Sequence, residues 1–261
     1  MRSIVSHSFA KLVLGTMSIV CVIGATSTKS FAATLVDTEL FLTVDTSGSV
    51  SSSEFDLQKT GYANAFRNAS VQSQIAGLPN GLAVAYGYFS SPLNQNVAVN
   101  WALLRTAADA NAFADAIAAT TRPFSGSTAV GSAINFAANQ LLTNDFTGRK
   151  VIDVSGDGGT NSGANTAAAR DAAFASGITI NGLPIGGSGV QNFFQNNVVT
   201  PNGFLVSANS FADFDAAVTK KIGREITSTP TPIPTPALIP AMIGFGISAV
   251  RKRKTMQQNQ G

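Results

Sequence analysis

Cysteine and histidine each occur once in this 261-residue chain, as Cys21 and His7. Both fall within the first 32 residues, which read as an export signal, so the segment that follows has neither. That absence removes Ser-His-Asp triads, Cys-His nucleophiles, zinc sites and disulfides together. A domain without thiols also suits an extracellular setting, where free thiols are oxidised. Tryptophan is equally scarce: Trp101 stands alone and reads as core or edge-strand packing. Basic character is missing as well, despite a formal charge of +3. Of the 17 Lys and Arg, three precede residue 33 and four follow residue 250, leaving ten against all 14 acidic residues. The stretch between therefore carries a net −4 and has no nucleic-acid bias.

The two ends serve traffic. Arg2 and Lys11 make a positive start, residues 12–25 are apolar and uncharged, and Ser30-Phe31-Ala32 puts small residues where a signal peptidase reads. Residues 1–32 are thus expected to be a signal peptide cut after Ala32; a retained anchor is the alternative. Val20 before Cys21 argues against a lipoprotein cysteine. Residues 227–235 form a Ser/Thr/Pro linker, expected to be extended and stiff. Residues 236–261 bring an apolar run and the basic cluster Arg251-Lys252-Arg253-Lys254. Counted from Ile233, the run is about 18 residues, the short limit for spanning a bilayer, and the cluster predicts a cytoplasmic C-terminus. With Pro234-Thr235-Pro236-Ala237 at its head, this tail resembles PEP-C-terminal sorting signals processed by exosortases. The resemblance implies a segment held in the membrane, then cut, releasing the domain to the cell surface or matrix; an uncut single-span anchor is the alternative.

Between the ends, residues 33–226 (about 195) suffice for one domain with a proper core. Strands are expected at 39–44, 82–89, 97–103, 150–155, 178–184 and 203–206. Helices fall between them. The capping-box pair Ser51 and Glu54 opens the first, which runs through Phe55, Tyr62 and Phe66. Others are expected at 107–119, along Val130, Ile134, Ala137 and Leu141, at 165–176 and at 190–198. Phe211, Phe214, Val218, Ile222 and Ile226 mark an amphipathic last one. This alternation predicts an α/β fold: a Rossmann-like, doubly wound, mostly parallel sheet with helices on both faces. Residues 90–96 are too few for a crossover helix, so one antiparallel edge strand is expected there.

Ligands of open α/β sheets bind at the carboxyl ends of the strands. Three segments meet that rule. Asp45-Thr46-Ser47-Gly48-Ser49 follows the first strand, Thr128 follows the loop Phe124-Ser125-Gly126-Ser127, and Asp157 lies in Ser155-Gly156-Asp157-Gly158. Carboxylates and hydroxyls are hard oxygen donors, suited to Mg2+, Mn2+ or Ca2+.

DTSGS, GSTAVGSAI and SGDG, in that order, resemble the three loops of the metal-ion-dependent adhesion site of von Willebrand factor type A domains. The VIDVSGDG strand, Asn161 and the closing KKIGREI helix are similar to a compact bacterial group of that family. The resemblance implies a divalent cation, Mg2+ before Mn2+ or Ca2+, held by Asp45, Ser47, Ser49, Thr128 and Asp157. It further implies direct ligation by Ser47, Ser49 and Thr128, with Asp45 or Asp157 acting through water. An open coordination position would take an Asp or Glu carboxylate of a protein partner. One departure is Gly126-Ser127-Thr128, where the family has Gly-Gly-Thr.

Other residues invite readings too. Asp153 reads as hydrogen-bonded structure, Arg122 as solvated surface or a guide for an acidic partner, and Asn161 as a turn residue or a brace for the site. The expected function is an exported, non-enzymatic adhesion or scaffold module. A subunit of an envelope or secretion assembly is the second reading. A hydrolase is the third, since Val44-Asp45-Thr46 echoes an aspartic protease; but Ser47 stands in place of the required glycine, and no second such motif occurs.

Overall fold

The first strand of the fold, β1 (Thr34–Asp45), is buried at every position from Thr38 to its end. Its run of Leu, Phe and Val suits a strand covered on both faces. The computed structural model describes residues 33–227. The expected signal peptide and all but the first residue of the linker and tail lie outside the described residues.

Five strands make one sheet in the order β3-β2-β1-β4-β5. β2 (Leu82–Phe89) and β4 (Phe146–Gly156) flank β1, both parallel to it, and β5 (Thr179–Pro184) lies parallel beyond β4. β3 (Gln95–Leu104) pairs antiparallel with β2 at the opposite edge. The sheet is thus mostly parallel with one antiparallel edge strand, as expected.

Helices cover both faces. On one side α1 (Ser52–Arg67), α2 (Ala69–Ala76), α3 (Ala107–Ala118) and the last helix, α7 (Phe214–Thr227), pack on Leu40, Leu42, Val44, Val84 and Tyr86. On the other, α4 (Val130–Thr143), α5 (Thr166–Ala175) and the short α6 (Ser188–Phe193) cover Phe41, Ala85, Ile152, Val154 and Ile180. The alternation of side chains along each strand sorts residues between the two cores. The capping box at α1 is formed: Ser51 Oγ accepts from Glu54 N at 3.3 Å, and Glu54 Oε2 accepts from Ser51 N at 2.8 Å. Among the described residues, no helix is long and apolar enough to cross a membrane.

Four expectations need correction. Residues 203–206 are not a strand; they reach β5 only through single bridges at Gly182–Leu205 and Ile185–Ala208. Gly182 N donates to Phe204 O and Ala208 N to Pro184 O, but the bond that would join these bridges needs an N–H at Pro184. Proline has none, and the ladder breaks. The helix expected at 190–198 divides into α6 and a π-helical turn, Phe194–Val198. The last helix opens as a 3-10 turn, Phe211–Asp213. α2 was not foreseen; Asn68 ends α1 and caps α2, its Oδ1 accepting from Ser70 N and Val71 N.

Phe41 is fully buried with ring centroids 6.0 Å from Trp101 and 6.0 Å from Phe136. Phe41→Ala should cost about 3–5 kcal/mol. The expected result is a lower urea midpoint at unchanged slope; an unchanged midpoint would show that the contacts across this face do not hold the sheet.

Candidate metal centre

β1 leads through α1 and α2 to β2 on one side, while β4 enters the sheet on the other side of β1. Neighbouring connections diverge there, and a crevice opens at the carboxyl ends of β1 and β4. Asp45 ends β1, and Asp157 follows β4 directly.

Asp45 is fully buried. Its Oδ1 accepts from Ser47 N at 2.7 Å, which curls the chain back over the strand end. Its Oδ2 is buried with no hydrogen-bond partner. Gly156 makes room for it: a Cβ there would lie 2.9 Å from Oδ2. From this carboxylate a line of oxygens runs outward. Ser47 Oγ lies 3.2 Å from Ser49 Oγ, and Ser49 Oγ donates to Asp157 Oδ1 at 2.8 Å.

The third segment is tied in through its backbone. Gly48 N donates to Gly126 O at 2.7 Å, joining the Asp45 turn to the loop before α4. Gly126 adopts φ +155°, and a Cβ there would meet Ser91 Oγ at 2.4 Å. Two residues on, Thr128 is almost wholly buried, and its backbone is clamped by Asn161. Asn161 Oδ1 accepts from Thr128 N at 2.9 Å, and Asn161 N donates to Thr128 O at 2.9 Å. Of the two readings of Asn161, the brace is the one observed. Its place, four residues after Asp157, was the only sequence signal for it.

Arg122 is neither solvated surface nor aimed at a partner. Its Nη2 donates to Thr46 O and Ser47 O, each at 2.8 Å, and holds the Asp45 turn from below. Gln58 of α1 does the same from another side, donating to Asp45 O at 3.1 Å. Sequence reasoning missed both roles; the bonds span 76 and 13 residues and leave no local pattern. Asp153 points into the core, where Tyr62 donates to it at 3.1 Å, and is structural as expected. Trp101 packs on Phe41 and Phe146 at the edge strand.

Among the described residues, no three His, Cys, Asp or Glu gather in a metal-binding group. The carboxylates of Asp45 and Asp157 and the hydroxyls of Ser47 and Ser49 are hard oxygen donors, the kind that suits a hard cation. The electrostatics agree. Burial pushes the Asp45 carboxyl up from 3.8 to about 7; the Asp157 charge adds to this, while the Ser47 hydrogen bonds and Arg122 oppose it. Asp157 is also raised, again chiefly by burial and against the Ser49 hydrogen bond. Arg122, spent on the carbonyls of Thr46 and Ser47, does not offset the desolvation of Asp45, whose carboxyl stays raised.

Two predictions follow from this geometry. Arg122→Gln should weaken Mg2+ binding about 10–100-fold by loosening the turn that aims Asp45 and Ser47; calorimetry with wild-type affinity would remove Arg122 from the support. The second concerns pH. With its folded carboxyl raised to about 7 from 3.8, Asp45 binds a proton more readily folded than unfolded. The metal-free domain therefore loses stability as pH rises across that window, and the deprotonated form is the one a cation binds. The Mg2+-induced rise in Tm over chelator should grow from about pH 5 to about pH 8, and Asp45→Asn should reduce that growth. Comparing with and without Mg2+ at each pH cancels the titrations of groups remote from the ion; a pH-independent rise would contradict the role of Asp45.

Solved structures share this fold. Proximal thread matrix protein 1 from the mussel byssus, with a zinc-occupied MIDAS motif, aligns at TM-score 0.58 and 17% identity over 74% of this chain and 48% of that one. The pilus adhesin SpaC from Lactobacillus rhamnosus GG aligns at 0.55 and 19%, over 73% and 30%. The SpRpn10 VWA domain aligns at 0.51 and 16%, over 70% and 94%. The chain thus spans about half the length of the mussel protein and less than a third of the adhesin. At these identities the likeness is one of fold, that of a VWA domain. No curated protein matches the sequence. The model of a family described as protein of unknown function, DUF1194, matches residues 35–230, and the chain belongs to that family.

Proposed function

We propose that the protein is a cation-dependent binding module whose crevice takes an acidic group of a protein partner. The observation that carries this is Asp45: a buried carboxylate with one oxygen unpartnered, at the inner end of a line of hydroxyls reaching Asp157. A buried carboxylate left so costs several kcal/mol unless a cation or proton meets it. Asp45, Ser47, Ser49, Thr128 and Asp157 would hold that cation. When bound, the ion supplies positive charge and an open coordination position for a partner's Asp or Glu side chain. Arg122, Gln58 and Asn161 keep the donors in place. The zinc-occupied motif of the mussel protein supports a divalent occupant. The all-oxygen donor set of this chain favours Mg2+, with Mn2+ and Ca2+ as competitors.

Export completes the reading. Residues 1–32 would direct the domain, 33–226, out of the cytoplasm. The linker 227–235 and segment 236–261 would hold it at the membrane until an exosortase-type cut. The role proposed for the crevice is binding, and no reaction is assigned to it.

Calorimetry tests the site. Mg2+ or Mn2+ should bind saturably to the wild type and not to Asp45→Ala; wild-type binding by that variant would end the assignment. Thr128→Ala should weaken capture of an immobilised acidic peptide more than it lowers Tm. Equal loss of both would make Thr128 a packing residue only.

A further inference from the structure

Beneath α1 and α7 lies a second group of charges that the crevice does not use. Lys221 on α7, Glu225 one turn further along and Asp153 on β4 are all fully buried. Lys221 Nζ is 2.7 Å from Glu225 Oε1 and 2.7 Å from Asp153 Oδ2. The contact with Glu225 is a directed hydrogen bond; that with Asp153 is a close approach outside hydrogen-bond geometry. The two oxygens of Asp153 are therefore distinguished. Oδ1 accepts from Tyr62 OH at 3.1 Å, and Oδ2 meets only the amine. Asn181 Nδ2 fixes Glu225 Oε1 at 2.9 Å, while Oε2 has no partner.

The group holds two carboxylates against one ammonium in a dry core, where charge is costly. Burial, reinforced by the Asp153 charge, pushes the Glu225 carboxyl up to about 7, so it can take and give a proton. Burial also pushes the Tyr62 phenol well above its usual range, which keeps it a donor. An amine and a carboxylic acid are the forms that condense, and one proton passed from Nζ to Oδ2 across the 2.7 Å contact would supply both.

We propose that Lys221 and Asp153 join in an intramolecular amide bond, with Glu225 as proton carrier and Tyr62 as oxyanion donor. Nζ attacks Cγ, and the negative charge gathers on Oδ1 against the Tyr62 hydroxyl. Glu225 Oε1 accepts a proton from Nζ and passes it to Oδ2. The Cγ–Oδ2 bond breaks, and Oδ2 leaves as water with both protons that the ammonium has given up. Nζ keeps one hydrogen, and no oxidant or co-reactant enters. Packing holds amine and acid in contact, which replaces the entropy of a bimolecular encounter. The product removes the buried charges of Lys221 and Asp153 and staples the last described helix to a central strand. The domain has no cysteine with which to make a disulfide there.

Mass spectrometry of the purified, fully denatured protein tests this. The wild type should weigh one water less than its sequence, and a tryptic map should contain one branched peptide joining Asp153 to Lys221, uncut after Lys221. Lys221→Arg should have its full sequence mass. Glu225→Gln should leave amine and acid in place yet show the bond lost or slowed, which a merely structural glutamate would not produce. A wild type at full mass after folding overturns the proposal. So does a water loss that maps to Asp157-Gly158, where a succinimide would also shed water, or one that persists in Lys221→Arg. Should the variants fail to fold, the wild-type map alone decides.

Discussion

A carboxylate buried at the end of a central strand is the constraint that the crevice is built around. Asp45 sits where β1 runs out between β2 and β4, with the sheet behind it and two loops over it. One oxygen is satisfied by the turn it initiates, and the other faces Gly156 without a partner. Folding accepts this because many contacts over-determine the position. Arg122 and Gln58 hold the carbonyls on either side of the turn, Gly48 locks it to Gly126, and Thr46 bonds Phe89 O through both N and Oγ1. The strain of an unmet charge is confined to one atom that points at the crevice.

Much of the fold was legible because it depends on local pattern. Leu40 to Val44 announced a doubly covered strand, Ser51 and Glu54 a helix start, and residues 90–96 a turn too short for a crossover. Those signals lie within one element or between neighbours. The failures came from features whose cause sits elsewhere. Residues 203–206 have strand composition, but the break in their pairing is set by Pro184 on the other partner. α2 has eight residues and only Val71 and Ile75 as buried anchors, too few for a periodic signal to stand out.

The crevice divides the same way. Its five expected oxygen donors fall in three short motifs, each ending or following a strand or opening a helix, so their convergence could be anticipated from topology. The structure brings Asp45, Ser47, Ser49 and Asp157 into one line and ties the Thr128 segment to it through Gly126 and Asn161. What holds them could not be anticipated. Arg122 looked like any loop cation, and only the folded chain reveals that its guanidinium faces inward to two backbone carbonyls.

Two buried acidic sites in one small domain meet the same physical difficulty in opposite ways. At the crevice, Asp45 and Asp157 have no lysine in contact, and on the proposed reading a cation from solution answers their charge. In the core, Asp153 and Glu225 have Lys221 between them, so the answer is internal. β4 serves both, since Asp153 and Asp157 lie four residues apart, one within the strand and one just past its end. Lys221 answers the core from within the chain, as ion-pair partner or as amide, whereas Asp45 at the crevice is left to answer to the protons and ions around it. Had the crevice held its own lysine, Asp45 would be neutralised at all times, and the proposed affinity for a divalent ion would have no basis.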